Sequence, residues 1–268
     1  MDKYLEDILN SQTYLSPLRY ISGRIVEYDM RSANISVLLQ KGIIDIDLYN
    51  KLSRLNKQSR EVEIGLMIKS DPTIYTELSK GIKEYKHKFC EANNIDSLQI
   101  VRVANDAMYI NTSIDLPYTF FDQYIEFRIK SISNVMININ KTLSFISFIN
   151  DQVSVDIKGI SADKYNLHAN YMISIIATVS FYIERGNIED ALNYISNIIE
   201  DYINLKLDIN YYREFNSDSL YVINVRGERM GVTSLSDEYK SILNIDYNLV
   251  VLRELWSIVL EIYNKGVR

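Results

Sequence analysis

The chain has 268 residues, of which 47% are hydrophobic and 24% are charged, and its formal net charge is −6 at pH 7. These values are typical of globular proteins and exclude disorder over most of the length. No apolar run approaches the roughly 18 residues of a membrane-spanning helix, and no basic region precedes an apolar segment near the N-terminus. We therefore expect a cytoplasmic protein with no secretory signal and no membrane partner.

The cysteine and histidine content restricts the metal chemistry. Cys90 is the one cysteine, and there are two histidines, so the sequence excludes an internal disulfide and a Cys/His zinc site. A bound metal would need carboxylate ligands, which favour Mg²⁺ or Mn²⁺. Acidic and basic residues nearly balance before residue 104, and the acidic excess lies after it. We therefore expect any phosphate-binding function in the first half of the chain.

The first half is predicted to be mostly helical around one strand. A helix over 2–14 is followed by the strand Arg24–Tyr28, which ends on Asp29 and leads into a helix over 32–40. Gly42 is expected to close that helix in a left-handed conformation. Further helices are predicted over 45–55, 57–69 and 72–93.

The second half begins with strands and ends with helices. Two β-rich runs within 99–111 meet at Asn105-Asp106, and strands are predicted over 124–129, 143–149, 153–157 and 220–225. Helices are predicted over 163–184, 188–205 and 246–264. The chain is therefore expected to be an α+β protein, helix-rich with a small antiparallel sheet. It is expected to divide into a region 1–115 and a region 116–268, or to form one continuous domain.

Asp29 and Asp106 are the candidate catalytic and metal-binding residues. Asp29 lies where a strand passes into a helix, and Asp106 lies in a hairpin turn. If the hairpin lies beside that strand, the two carboxylates come close together, as two-metal phosphoryl transfer requires. The alternatives are that Asp29 caps a helix and that Asn105-Asp106 is an ordinary turn dipeptide.

Two motifs carry a resemblance to a known family. The first is Tyr28–Leu38, an Asp followed by a polar turn and an apolar helix, and the second is the hairpin Val103–Tyr109. Together they resemble the palm of family A DNA polymerases and single-subunit RNA polymerases. The resemblance covers roughly residues 20–115 and implies that Asp29 and Asp106 bind Mg²⁺ or Mn²⁺.

Other positions depart from that family's pattern. Asn34 and Asn105 occupy positions where the family has Glu and His, and we expect both to contact the substrate. No Arg-x-x-x-Lys motif lies between the two Asp residues; instead Arg54, Lys57 and Arg60 recur at three-residue steps. These three are candidates for phosphate binding near one helical face, or they form a solvated surface. Membership of a phage or mobile-element family is the alternative to the palm.

Two functional hypotheses follow. The first is a metal-dependent protein that transfers phosphoryl groups on nucleotides or nucleic acid, or an inactive relative of a polymerase palm. The second is a non-catalytic phage-type factor that binds a host or phage protein through its acidic second half and the aromatic segment Tyr211–Phe215. Three lysines, Lys80, Lys83 and Lys86, are interpreted as an exposed side of a helix.

Overall fold

The computed structural model describes residues 3–139, 142–150, 152–158, 162–208, 211, 221–224, 229–231, 243–244 and 249–266. The chain forms two compact units. The first comprises Met1–Pro17 with Gly23–Ile132, and the second comprises Leu18–Ser22 with Ser133–Arg268. The predicted boundary after residue 115 differs from the division between these units, since residues 116–132 belong to the first unit and the Leu116 amide donates a hydrogen bond to the Tyr28 hydroxyl.

The first unit consists of helices around an antiparallel sheet. Its helices are α1 (Lys3–Asn10), α2 (Ala33–Gln40), α3 (Ile46–Ser53), α4 (Lys57–Ser70) and α5 (Thr73–Ala92), followed by a 3-10 turn at Ser97–Gln99. Its strands are β1 (Thr13–Leu15), β2 (Tyr20–Met30), β3 (Ile100–Ala104), β4 (Ala107–Asn111), β5 (Phe120–Asp122) and β6 (Ile125–Ile139). Neighbouring strands follow the order β1-β3-β4-β2-β6, with β5 on β6. Because β2 and β6 are long, each contributes residues to both units.

An aromatic cluster forms the centre of this unit's core. The Phe89 ring of α5 lies 5.1 Å from the Tyr28 ring of β2 and 4.5 Å from the Phe127 ring of β6, measured between centroids. The Tyr28 hydroxyl accepts a 2.9 Å hydrogen bond from the Leu116 amide. Buried aromatic pairs of this kind add stabilisation beyond the area that they bury. The cluster thereby fixes α5 against the sheet strands.

Local sequence signals explain where the helices begin and how α2 and α5 approach. The Asp45 and Asn56 side chains accept hydrogen bonds from backbone amides in the first turns of α3 and α4. Gly42 has φ +68°, which confirms the predicted left-handed closure of α2. A Cβ atom at Gly81 would lie 2.4 Å from Cγ1 of Val37, so glycine allows α2 to pack directly on the α5 backbone.

The described residues of the second unit form three long helices, a β-meander and a small separate sheet. The end of β6 pairs with β7 (Thr142–Ile149), which pairs with β8 (Gln152–Lys158). Helices α6 (Ala162–Glu184), α7 (Ile188–Ile203) and α8 (Leu249–Gly266) supply the apolar side chains of one core with β6–β8. The strands β9 (Tyr221–Asn224), β10 (Arg229–Gly231) and β11 (Leu243–Asn244) form a separate antiparallel sheet. Arg19 pairs with Glu254 and Glu261 of α8.

The predicted α+β class is confirmed, and two element predictions are corrected. The first helix ends at Asn10 instead of residue 14, because Thr13–Leu15 pairs with β3 as a strand. The strand expected over Arg24–Tyr28 extends over Tyr20–Met30, so Asp29 lies within a strand and does not cap a helix. None of the described helices has both the length and the apolar composition needed to cross a bilayer.

Candidate functional site

Strand pairing brings Asp29 and Asp106 together. Asp106 lies in the two-residue turn between β3 and β4, and Asp29 of β2 is opposite Ala107 of β4. The Met30 amide donates a 3.0 Å hydrogen bond to the Asp106 carbonyl oxygen. Asn105 has φ 45°, a left-handed conformation that asparagine tolerates well in turns. The hairpin therefore lies beside the end of β2, as its sequence predicts.

The surroundings of Asp29 are rich in positive charge. The Asp29 carboxylate lies 3.8 Å from the Lys130 ammonium and 3.8 Å from the Arg128 guanidinium, both on β6. Lys130 also donates a 2.9 Å hydrogen bond to Glu27, whose side chain is 3% exposed. Ser131 donates a 2.8 Å hydrogen bond to the other Glu27 oxygen. We refer to Glu27, Asp29, Arg128, Lys130 and Ser131 as the carboxylate cluster.

Ionisation in this cluster is stabilised from within the protein. Burial opposes the charge on Glu27, but hydrogen bonds from Lys130, Ser131 and Tyr109 outweigh burial and lower the Glu27 pKa. The hydrogen bond to Glu27 raises the pKa of Lys130, and Asp29 contributes in the same direction. The cluster therefore holds Glu27 ionised, with its cationic partner Lys130 already in place.

Asp106 has a different environment. Burial raises the pKa of its carboxyl group, and the neighbouring Asp29 carboxylate raises it further. Lys57 and Lys130 oppose this shift through their positive charge. Asp106 is thus a half-buried carboxyl group without the close ion pairs that Asp29 has.

Asp106 also lines a cleft of about 480 Å³ between α4 and α5. Lys57, Ile64, Gly65 and Ile68 line the α4 wall, which matches the helical period. Glu61 of α4 also lines the cleft; the α5 wall consists of Tyr75, Leu78, Ser79, Ile82, Lys83 and Lys86, and the remaining border of Gln12, Asn34, Asn105 and Asp106. This volume lies within the usual range for small-molecule sites.

Lys86 is the residue that distinguishes this cleft. It is 1% exposed, and its ammonium forms no hydrogen bond or ion pair within the described part of the chain. Burial lowers its pKa to about 8, and the positive charge of Lys83 contributes to the shift. The Asp106 carboxyl opposes this shift, but it forms no ion pair with Lys86. A buried lysine that has no anion in direct contact is unfavourable unless a bound group supplies one.

Four of the predicted site residues line the cleft. Asn34, Lys57, Asn105 and Asp106 do so, whereas Asp29 lies in the carboxylate cluster beside it. Arg54 and Arg60 are not among the lining residues. The expectation that Arg54, Lys57 and Arg60 lie near one helical face is wrong, because Arg54 is the C-cap residue after α3 and the other two belong to α4.

The sequence interpretation missed the two lysines of α5. Lys80 is exposed as expected, but Lys83 is half-buried and Lys86 is buried. Lys86 follows Leu78 and Ile82 at four-residue steps and therefore lies on the apolar face of α5. This spacing is the signal that would have identified it.

The donor set does not fit a two-metal centre. Among the described residues, no group of three His, Cys, Asp or Glu side chains is placed to hold a metal ion. Asp29 is already paired with Arg128 and Lys130. Binding of Mg²⁺ or Mn²⁺ by Asp29 and Asp106 stays a prediction from the sequence, and no chemical step is assigned to it.

A second depression, of about 490 Å³, includes His87 and Glu84. All of its lining residues are exposed or partly exposed, and the His87 ring contacts the Asn10 side chain at 3.2 Å. Burial lowers the pKa of His87. The depression has no counterpart to the buried Lys86, so the α4–α5 cleft is the stronger candidate site.

Fold and site together define the class: an α+β protein whose first unit has a cleft lined by a buried lysine that forms no ion pair with the described residues. The chain belongs to the bacteriophage PBS1 gene 130 protein family, whose family model matches residues 8–261. No curated protein matches the chain. The predicted phage family is therefore confirmed, while the likeness to polymerase palms stays a prediction based on its two motifs.

Proposed function

We propose that this phage protein binds a phosphate-bearing ligand in the α4–α5 cleft. The observation that carries the proposal is Lys86, a buried lysine that lines the cleft and has no ion-pair partner among the residues that the structure describes. A phosphate group would supply the missing negative charge and would bring acceptor oxygens to the ammonium. Because Lys86 is 1% exposed, this attraction is stronger than it would be for a lysine at the surface.

The neighbouring residues fit the same ligand. Lys57 and Lys83 line the cleft and add positive charge, and the Asn34 and Asn105 amides offer further hydrogen-bond donors. Glu61 lies 3.8 Å from Lys57, so Lys57 is partly neutralised and the two α5 lysines contribute most. We also propose a cytoplasmic location, which is in keeping with the single cysteine.

The proposal extends to binding and not to catalysis. Phosphoryl transfer would require metal ions at Asp29 and Asp106, and the described donor set is too small for two of them. The sequence-based hypothesis of a metal-dependent transferase is therefore retained only as a prediction to be tested by metal titration.

Binding of a phage or host protein is the second candidate function. Val62 and Leu66 of α4 are each 57% exposed and lie one helical turn apart, so they form a small apolar surface. Most of the aromatic segment that suggested this function, Tyr212–Phe215, lies outside the described residues. The observation is weaker than the buried lysine because single exposed apolar residues are common.

Pyrophosphate tests the proposed function directly. At hundredfold excess over its Kd, it should raise the melting temperature of the wild type by roughly 5–10 °C. The Lys86→Met variant should show little of this rise. Lys80→Met is the matched control, since it removes the same charge from an exposed position of α5. An equal rise in the Lys86→Met variant would place phosphate binding elsewhere and overturn the proposal.

A further inference from the structure

The cleft differs in character along its length. Among the lining residues of α4 and α5, Lys57 and Lys86 are the farthest along the chain from the Asp71-Pro72 connection between the two helices. The lining residues nearest that connection are Ile68 on α4 and Tyr75 on α5, with Ile64 and Leu78 next to them. We call the second group the apolar half of the cleft. A ligand that fills the whole cleft therefore needs a charged end and an apolar end.

Gly65 leaves the apolar half open. A Cβ atom at this position would meet no described atom within 4 Å, so packing does not require glycine there. Glycine within a helix costs about 1 kcal/mol relative to alanine. The missing side chain leaves space on the α4 wall, where a larger residue would project into the cleft.

Tyr75 and Gln12 offer contacts suited to a flat polar ring. Tyr75 is 52% exposed and lines the cleft, so its ring is accessible for stacking. The Gln12 amide lies 3.5 Å from the Tyr75 hydroxyl, which places a group with donors and an acceptor beside that ring. Aromatic stacking and amide hydrogen bonds are the means by which proteins recognise nucleobases.

We infer that the apolar half binds the base of a single nucleotide whose phosphate lies against Lys86. This inference rests on the proposed function, because Lys86 anchors the phosphate in both. The cleft volume of about 480 Å³ suits one nucleotide better than a strand, which would need a groove that continues past both ends.

The test compares ligands that carry both a phosphate and a base with a ligand, ribose 5-phosphate, that carries the phosphate without a base. Calorimetric titration would use the four nucleoside 5′-monophosphates, ribose 5-phosphate and a trinucleotide against the wild type and three variants. Gly65→Leu should fill the apolar half, Gly65→Ala is its matched control, and Lys86→Met removes the phosphate anchor. Circular dichroism melts would verify that each variant is folded.

We expect at least one nucleoside monophosphate to bind the wild type tenfold or more tightly than ribose 5-phosphate. Gly65→Leu should weaken that nucleotide at least tenfold and change ribose 5-phosphate less than twofold, and Gly65→Ala should change neither by more than twofold. Lys86→Met should weaken both ligands.

The outcomes separate the two proposals. Equal affinity for ribose 5-phosphate and every nucleotide, or an equal effect of Gly65→Leu on both ligand types, would overturn the base subsite while phosphate binding stands. Tighter binding of the trinucleotide than of any monophosphate would overturn the single-nucleotide ligand and show that the cleft binds a nucleic-acid strand. Failure of all these ligands to bind, or binding that Lys86→Met leaves unchanged, would overturn both proposals.

Discussion

The first unit contains two groups of buried charge, and only one of them is paired within the described part of the protein. In the carboxylate cluster, Glu27 is 2% exposed and has hydrogen bonds to Lys130 and Ser131. In the cleft, Lys86 is 1% exposed and has neither a hydrogen bond nor an ion pair within the described residues. Asp106 interacts electrostatically with Asp29 of the cluster and with Lys86 of the cleft.

This difference separates structural charge from charge that is available for a ligand. A buried charge whose partners lie within the fold is already paired, and it can bind a further ion only if it gives up those partners. A buried charge without partners lowers the stability of the free protein, and a ligand of opposite sign recovers that free energy on binding. The contrast predicts opposite effects when each charge is removed.

The largest expected effect on stability is for Lys86→Met at neutral pH. The Lys86 pKa falls from 10.5 to about 8 in the folded protein, so its charge disfavours folding. Below pH 8 both the folded and the unfolded chain carry the proton, and the full cost, on the order of 3 kcal/mol, applies. Lys86→Met should therefore be more stable than the wild type by up to that amount in urea unfolding at pH 7.

The pH dependence provides the control for this prediction. Between pH 8 and 10.5 the unfolded chain binds more protons at Lys86 than the folded chain, so the stability of the wild type should approach that of the variant. Lys80→Met should show no such convergence. A Lys86→Met variant that is less stable than the wild type at pH 7 would mean that the ammonium has a stabilising partner.

Removal of a charge from the carboxylate cluster should have the opposite sign. Glu27→Gln leaves Lys130 without its closest partner and should cost about 2 kcal/mol, less than for a fully buried pair because Lys130 is 48% exposed. The Glu27 pKa is lowered in the fold, so this stability is present above its ordinary value of 4.5 and is lost as the pH falls through the folded value.

Urea unfolding at pH 7 and at pH 3 would measure the effect of Glu27→Gln. Glu63→Gln, at an exposed position of α4, is the matched control and should change the free energy of unfolding little at either pH. If Glu27→Gln left the free energy of unfolding unchanged at pH 7, the hydrogen bonds and ion pairs of the carboxylate cluster would not stabilise the fold as their geometry indicates.

The sequence predicted those parts of the fold that have a local signal. The helices α2 to α8 follow from apolar spacing and caps such as Asp45, and the β3–β4 hairpin follows from the Asn105-Asp106 turn. The strand β1 was missed because three residues have too short a pattern, and its conformation depends on pairing with β3. The length of β6 was missed for the same reason, since its second part is stabilised by β7.

The candidate site was predictable to a similar extent. The proximity of Asp29 and Asp106 follows from a strand end and a neighbouring hairpin turn. The partners Arg128 and Lys130 lie about 100 residues farther along the chain than Asp29 and reach it through sheet pairing, which no local pattern encodes. The burial of Lys86 is not predicted, because lysine is seldom buried and its charge indicates an exposed position, whereas its helical spacing places it on the apolar face.

The smallest expected effects concern the two Asp residues and metal. Asp106→Asn should be slightly more stable than the wild type at pH 7, since burial and Asp29 raise the pKa of Asp106 and its charge disfavours folding above that pKa. Asp7→Asn, in an exposed position of α1, is the matched control and should have no effect.

Because Arg128 and Lys130 already neutralise Asp29, Mn²⁺ should raise the melting temperature of neither the wild type nor the Asp29→Asn/Asp106→Asn variant. A Mn²⁺-dependent rise in the wild type that the double variant lacks would show that the ion displaces these cations, and it would return Asp29 and Asp106 to the metal site that their sequence motifs predict.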